Sequence, residues 1–326
     1  MWRRLDGPHA RPFAVLAICI LLLIVVDGGE GRFLSAATAY STLQIFATIS
    51  LVTLGLGLTM MCREFDLSVV GMYGMAGCIG VLTGAQNPWI GIGLALVIGL
   101  AAGIVQGFII VRLNLSSVGV TLGGLLVFVG IAFVLTESRS LPYENLPVAL
   151  KLNERFAGIF SIRSVIAVTI FLAAAAIFAW TRLGRDIIAI GSDRRAAMTT
   201  GVKVDELLIG IFAVSGVCAA LSGVLLSYSL ASASPAGLSD VIAPAAAGAI
   251  LGGVSLGGAS GRPLGIAAGA LTLAVLRSGL NAVGAPPFVN DITMGAVLLT
   301  VAFLDGPYLS RRLIPLKRWG GRFAGQ

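Results

Sequence analysis

Long apolar stretches without charged residues recur along almost the whole chain, and this pattern constrains the fold more than any other feature. The first stretch is a run of 14 apolar residues from Phe13 to Val26, and comparable stretches continue as far as Leu304. Only 11% of the 326 residues are charged, whereas a soluble globular protein carries about 25% charged residues. The pattern therefore predicts a chain whose solvent is a lipid bilayer.

The apolar windows predict an all-α, polytopic integral membrane helix bundle that forms a single domain over residues 1–326. A helix needs about 20 mostly apolar residues to cross the hydrocarbon core. Ten windows meet or approach this length: 13–28, 42–62, 67–85, 89–111, 118–136, 163–181, 206–230, 240–257, 263–283 and 288–305. Because the window 240–257 is short and rich in glycine and alanine, it predicts a broken or re-entrant helix, which must be covered by protein or line a cavity.

The distribution of Lys and Arg predicts the orientation of the bundle. With ten crossings, most of the 22 basic residues fall on the same side as the N-terminus, which marks that side as cytoplasmic. The cytoplasmic segments are then an N-terminal arm (1–12), a long loop (182–205) and a C-terminal tail (306–326), and the long periplasmic loop is 137–162. A cleaved signal peptide is the alternative for the first window, but an uncleaved first span is preferred.

Several functional classes are disfavoured by what the sequence lacks. No phosphate-binding G-x-x-x-x-G-K-[ST] loop or zinc-protease motif occurs, and the lone His9 lies in a polar arm, where it could not serve a buried catalytic site. The four cysteines lie inside apolar stretches without a CxxC pair, so they predict packing residues rather than metal ligands. The positive charge is dispersed among loops, which argues against nucleic-acid binding. We therefore expect neither an enzyme nor a resident cofactor or metal, and a transporter, channel or scaffold remains.

Within the long cytoplasmic loop, a short helix is predicted over 194–199. Ser192 or Asp193 can cap it, because either side chain accepts hydrogen bonds from first-turn N–H groups. Gly201 is a suitable left-handed stop for this helix. Such a short rigid helix outside the membrane suits the docking of another protein, although an ordinary basic loop would also satisfy the orientation rule.

The same stretch resembles the cytoplasmic loop of permease subunits in bacterial ABC importers of the ribose/monosaccharide type. Their pattern is close to G-R-x-x-x-A-x-G-x-N-x-x-A-A-x-x-x-G-[IV]. The matching residues are Gly184, Arg185, Ala189, Gly191, Ala196, Ala197, Gly201 and Val202. Asp193 stands where that family usually has Asn. The resemblance extends to D-L-S-V at 66–69, where Arg63 and Glu64 replace usual glycines. It also includes 252–258 followed by Gly261, which is similar to G-G-x-S-L-x-G-G-x-G, and a partial N-G-L-N match at 278–281.

The resemblance implies that the 182–205 loop docks on a separate cytoplasmic ABC ATPase, which would bind the ATP. The implied ATPase-coupling residues are Arg185, Asp193, Arg194, Arg195, Ala196, Ala197 and Gly201. It further implies a periplasmic solute-binding protein that contacts the 137–162 loop, and a second permease copy, identical or related. The membrane lipid is the remaining partner, and the location is the bacterial inner membrane.

Four polar residues at or near membrane depth are candidates for the translocation path: Asp66, Ser68, Arg277 and Asn281. Charges at this depth are costly, so each needs an explanation. Asp66 could instead cap the next helix in a tight turn. Arg277 could extend its guanidinium to the interface or pair with Asp291, and Asn281 could hydrogen-bond a neighbouring helix.

Small residues recur at four-residue spacing in the fourth window, which predicts close packing of that helix against another. They are Ala95, Gly99, Gly103 and Gly107. The glycines of 252–261 are denser and predict a flexible or broken segment.

The solute is expected to be a sugar or a sugar-like molecule. The stretch Arg63 to Ser68 and the closing Val289 to Asp291 look closest to rhamnose or autoinducer-type sugar permeases. A branched-chain amino acid permease of the same superfamily is the alternative. A stand-alone secondary transporter is a rival of another class, and it would need an ion-coupling site.

Overall fold

A computed structural model describes residues 10–236, 241–255 and 257–305 of the chain. The helices are α1 (Arg11–Val26), α2 (Ala36–Met61), α3 (Val69–Thr83), α4 (Pro88–Arg112), α5 (Ser117–Leu135), α6 (Leu146–Asn153), α7 (Ile162–Trp180), α8 (Leu183–Ser192), α9 (Arg194–Thr199), α10 (Val204–Ser229), α11 (Ile242–Leu251), α12 (Pro263–Ala282) and α13 (Pro287–Asp305). Two strands of two residues each, β1 (Leu141–Pro142) and β2 (Ser232–Ala233), pair antiparallel. Most of the predicted arm 1–12, the whole tail 306–326, Asp240 and Leu256 lie outside the described residues.

Helices occupy all ten predicted windows, and six of them are long and apolar enough to cross a bilayer: α2, α4, α5, α7, α10 and α12. The chain is therefore an all-α, multi-pass membrane bundle, as predicted. The count of ten crossings is not confirmed. Helices α1 and α3 are apolar but shorter, and α11 has 10 residues, which span only about 15 Å.

The starts of three long helices follow from their local sequences. Ser35 caps α2 by accepting a hydrogen bond from the Thr38 amide at 3.1 Å, and Asn87 caps α4 by accepting from the Trp89 amide at 3.0 Å. Ser161 and Ser164 form a capping box at the start of α7. These side chains satisfy first-turn N–H groups that have no partner within the helix.

Helix α10 is the most central of the long helices, and glycines let its neighbours approach closely. Added Cβ atoms on Gly99 and Gly103 of α4 would lie 2.6 Å and 2.3 Å from the carbonyl oxygens of Gly216 and Phe212 of α10. On the other side, a Cβ on Gly223 would lie 2.1 Å from the Tyr73 carbonyl of α3. The predicted packing role of the small-residue stripe on α4 is thus confirmed.

The two ends of α10 define two ends of the bundle. Helix α9 precedes its first turn, and α6 packs beside its last turn, where Asn153 donates a hydrogen bond to the Ser229 carbonyl at 2.8 Å. We call these the α9 end and the α6 end. The predicted 137–162 loop is ordered at the α6 end by α6, by β1, and by Tyr143, whose ring stacks on Tyr228 with centroids 4.2 Å apart.

Candidate coupling site and solute path

Helix α9 has the bounds predicted from the sequence, Arg194–Thr199. Of the two candidate caps, Asp193 forms the cap. Its Oδ1 accepts hydrogen bonds from the Arg195 amide at 2.8 Å and from the Ala196 amide at 3.1 Å. Gly201 follows the helix with a φ of 85°, in the left-handed region. The hydrogen bond from the Ala196 amide, followed by that from the Arg195 amide, makes the largest contribution to lowering the pKa of the Asp193 carboxyl below its usual range. The charged cap therefore persists into mildly acidic conditions.

Helix α8, immediately before α9, was not predicted; the sequence analysis treated 182–193 as loop. One side of α8 is buried and carries Ile187, Ile190 and Gly191. A Cβ on Gly191 would lie 1.9 Å from the Met61 carbonyl oxygen at the end of α2. The helical period of the apolar residues in 183–192 could have indicated α8, but the polar residues on either side of this stretch obscured it. Helix α8 thus packs against the end of α2, and α9 follows it directly along the chain.

The predicted coupling residues divide into an exposed group and an anchored group. Arg185, Arg195, Ala196 and Gly201 are exposed, whereas Ala197 is buried under α9. Arg194 forms an ion pair with Glu64, a residue that precedes α3. Arg185 also lines a cavity of about 390 Å³ together with Arg262. The short helix therefore presents polar and small residues to the solvent while its other side is fixed to the bundle.

Asp66 lies deep in the bundle, in the non-helical segment 62–68 between α2 and α3. Its Oδ1 accepts hydrogen bonds from the Ser68 amide at 3.0 Å and the Ser68 hydroxyl at 2.6 Å. Its Oδ2 accepts from the Ser215 hydroxyl at 2.7 Å. Ser215 is about 16 Å along α10 from Val204 at the helical rise. Asp66 thus does not cap α3 at the membrane surface; it joins the start of α3 to the middle of α10.

The backbone of 62–68 is satisfied by hydroxyl groups of α5. The Phe65 amide donates to Ser117 Oγ at 3.2 Å, and the Leu67 amide donates to Thr121 Oγ1 at 3.1 Å. Thr121 in turn donates to the Phe65 carbonyl at 3.1 Å. Non-helical backbone at membrane depth requires such partners. The segment 62–68 is therefore a non-helical break between α2 and α3 that is covered by protein and hydrogen-bonded to it.

The other two predicted path residues lie on α12, toward the α6 end. Arg277 and Asn281 are exposed in the single chain, and Asn281 Oδ1 accepts a hydrogen bond from Asn290 at 2.9 Å. Within the described ranges, Arg277 forms no ion pair, so the alternative pairing with Asp291 does not occur. The structure thus places the four predicted path residues in two separate regions.

Residues 38–302 match the family described as "Branched-chain amino acid transport system / permease component". The chain belongs to this family of transport permeases. It is 32% identical over 298 residues to the autoinducer 2 import system permease protein LsrC of Photorhabdus luminescens, covering 90% of this chain and 88% of the relative. It is 27% identical over 300 residues to the ribose import permease protein RbsC of Escherichia coli K12, covering 89% and 92%. No solved structure matches the chain.

The family and its relatives confirm the prediction of a membrane transport permease rather than an enzyme. In the described part of the permease, no group of three or more His, Cys, Asp or Glu residues is placed to hold a metal ion.

One polar cluster of the permease was not predicted from the sequence; it is centred on Arg163, the first residue of the window 163–181. Arg163 is 5% exposed. Its guanidinium donates to Gln44 Oε1 at 3.2 Å, Ser229 Oγ at 2.9 Å and Thr48 Oγ1 at 2.7 Å. The signal was its place in the first turn of an otherwise apolar helix, but the sequence does not show which helices surround it.

Proposed function

We propose that this chain is the permease subunit of an ABC importer and that it forms the path of a sugar or sugar-like solute across the bacterial inner membrane. A separate ATPase would supply the energy. The observation that carries the proposal is the capped helix α9, which exposes Arg195 and Ala196 and directly follows α8, which is packed against the end of α2. An ATPase that moved α9 would therefore act on a helix of the core.

The relatives support a sugar-like solute. One is named for autoinducer 2 and another for ribose, and both cover about nine-tenths of this chain. The description of the family names branched-chain amino acids instead, so such an amino acid is the second candidate. Competition of ribose and of leucine against uptake of the native solute discriminates between the two classes.

The proposed orientation places the α9 end and both termini in the cytoplasm. It is supported by the excess of Lys and Arg in the segments assigned to that side. A periplasmic solute-binding protein would then meet the α6 end, where α6 and the β1–β2 pair form a folded surface. Labelling of single cysteines introduced at Arg195 and at Lys151 in sealed cells tests this orientation.

A second permease copy would complete the solute path. Arg277 and Asn281 are exposed on α12 of a single chain, and polar groups in a membrane helix usually face other protein or a water-filled cavity. We infer that these two residues line a path between two copies. Asp66 and Ser68 remain candidates for the path, although their polar atoms are bonded within one chain.

Uptake by sealed vesicles tests the proposed function directly. Vesicles that contain the permease and its co-purified ATPase should accumulate solute only with ATP and the binding protein. Arg195→Glu should weaken co-purification of the ATPase, whereas Arg139→Glu at the α6 end should not. Accumulation driven by an ion gradient without ATP would instead establish a secondary transporter.

A further inference from the structure

The end of α2 has an unusual residue for its backbone conformation. Arg63 has a φ of 64°, in the left-handed region. Its amide donates to the Met60 carbonyl at 3.0 Å, and the Glu64 amide donates to the Thr59 carbonyl at 3.1 Å. These are the two hydrogen bonds of a Schellman helix end, and the position of Arg63 is the one that glycine usually occupies. A side chain is strained in this conformation, so an arginine here calls for a reason.

The Arg63 side chain connects two other segments. Its Nε donates to the Gly257 carbonyl at 2.7 Å, and its Nη2 donates to the Ser192 carbonyl at 2.9 Å. Ser192 is the last residue of α8 and directly precedes the cap of α9. Hydrogen bonds from a charged donor are stronger than neutral ones. One guanidinium thus holds the end of α2, the α8–α9 junction and the 257–261 loop together.

The next residue makes a second connection to the same helix pair. Glu64 forms an ion pair with Arg194, the first residue of α9, and the Glu64 side chain is only 11% exposed. This pair is shielded from solvent on the acidic side, so salt screens it less than an exposed pair. Arg63 is therefore bonded to Ser192, just before the cap of α9, and the adjacent Glu64 is paired with Arg194, just after that cap.

Arg63 and Glu64 belong to the same non-helical segment, 62–68, that forms the buried break between α2 and α3. Phe65 and Leu67 follow at once and are bonded to α5, and Asp66 is bonded to Ser215 in the middle of α10. A displacement of α9 would therefore pull on 62–68, and through it on α3, α5 and α10. Exposed basic residues elsewhere on the α8–α9 pair, such as Arg185 and Arg195, have no comparable link within the described chain.

We propose that Arg63 and Glu64 form a clasp that transmits the movement of α9 to the 62–68 segment and so couples ATP hydrolysis to solute passage. The clasp residues are positioning residues and do not contact solute. The inference rests on the proposed function, because it assumes that an ATPase moves α9.

Arg63→Gly separates this role from a purely structural one. Glycine suits the left-handed backbone, so the variant should keep the thermal midpoint of the wild type while losing both side-chain bonds. Measured with ATPase and binding protein in vesicles, the ATP hydrolysed per solute accumulated should rise roughly fivefold or more, the lower range of allosteric couplings. An unchanged ratio would overturn the proposal.

Asn114→Gly is the matched control. Asn114 follows α4 with a φ of 54°, and the Leu115 amide donates to the Ile110 carbonyl at 3.2 Å, as at a Schellman helix end. The Asn114 side chain is exposed, and within the described residues no hydrogen bond joins it to α8 or α9. This variant relieves the same kind of backbone strain without touching α9. It should leave the ratio of hydrolysis to uptake at the wild-type value, and an equal rise in both variants would contradict the clasp.

Exchange of the charged pair gives an independent measurement that does not depend on the backbone of Arg63. Glu64→Arg and Arg194→Glu should each uncouple hydrolysis from uptake, and the double variant should recover a large part of the coupling. No recovery in a double variant that still co-purifies with the ATPase would argue against the pair. If the wild type itself neither binds an ATPase nor takes up solute with ATP, the proposed function fails rather than the clasp.

Discussion

The two ends of the bundle each hold an arginine in a polar junction, but they satisfy it in opposite ways. At the α9 end, Arg63 donates to backbone carbonyls, and the neighbouring Glu64 and Arg194 neutralise each other. At the α6 end, Arg163 is buried and is held by neutral side-chain oxygens of α2 and α10. The first junction links separate segments of backbone, so its loss should affect movement. The second fills the interior, so its loss should affect packing.

We expect the largest effect on stability for Asp66→Ala, a substitution in the same 62–68 segment that holds Arg63 and Glu64. It leaves the Ser68 amide and the Ser215 hydroxyl buried without their acceptor, and each such loss costs about 1–3 kcal/mol. We expect the free energy of unfolding, measured by SDS titration in mild detergent, to fall by about 3 kcal/mol. Asp66→Asn keeps one acceptor oxygen and should lose less. Equal stability of wild type and Asp66→Ala would remove Asp66 as an anchor, and normal uptake would remove it from the path.

A smaller loss is expected for Arg163→Met at the α6 end, although Arg163 is also buried. Its partners are neutral, and two of the three keep other bonds: Ser229 donates to Asn153 at 2.8 Å, and Thr48 donates to the Gln44 carbonyl at 2.9 Å. The substitution therefore leaves no unpaired buried charge, which is the costly outcome when one member of a buried ion pair is removed. We expect a loss of about 1 kcal/mol in the same titration. A loss larger than that of Asp66→Ala would reverse the comparison.

The effect of Asp193→Ala should be confined to α9. The cap on the Arg195 and Ala196 amides disappears, so hydrogen exchange at these two amides should accelerate while the exchange of α10 stays unchanged. The depressed pKa of Asp193 gives this cap a defined pH dependence. The stabilisation is present above the pKa of an unfolded Asp and is lost as the pH falls through the lower folded value. Protection in wild type should therefore decline only at a pH below the usual range of an Asp carboxyl, whereas Asp193→Ala should show no such decline.

Glu137→Gln should have the smallest effect. It removes the charge of an ion pair with Arg139 in which both side chains are about three-quarters exposed, and such pairs contribute about 0–1 kcal/mol. The free energy of unfolding should change by no more than about 0.5 kcal/mol. A change as large as that of Arg163→Met would show that the α6 end depends on its surface charges.

Much of the fold was determined by the sequence, because hydropathy and local capping are properties of short segments. The apolar windows located the helices, the four-residue spacing from Ala95 to Gly107 predicted the contact surface of α4, and the Asp193 and Gly201 signals defined α9. The family was predicted separately, from the resemblance of several motifs and their order to those of a known permease family. Sequence reasoning missed α8, because the polar residues that flank 183–192 obscured the helical period of its apolar residues.

Tertiary structure alone decided the surroundings of the charges. Arg63, Glu64 and Asp66 read in the sequence as a tight polar turn. The fold instead buries Asp66 against α10, bonds Arg63 to the end of α8 and pairs Glu64 with Arg194 of α9. Arg163 read only as the first residue of an apolar window, yet its guanidinium is bonded inside the bundle. Most of the partners of these four charged residues lie more than 100 positions away along the chain, and no local pattern contains that information.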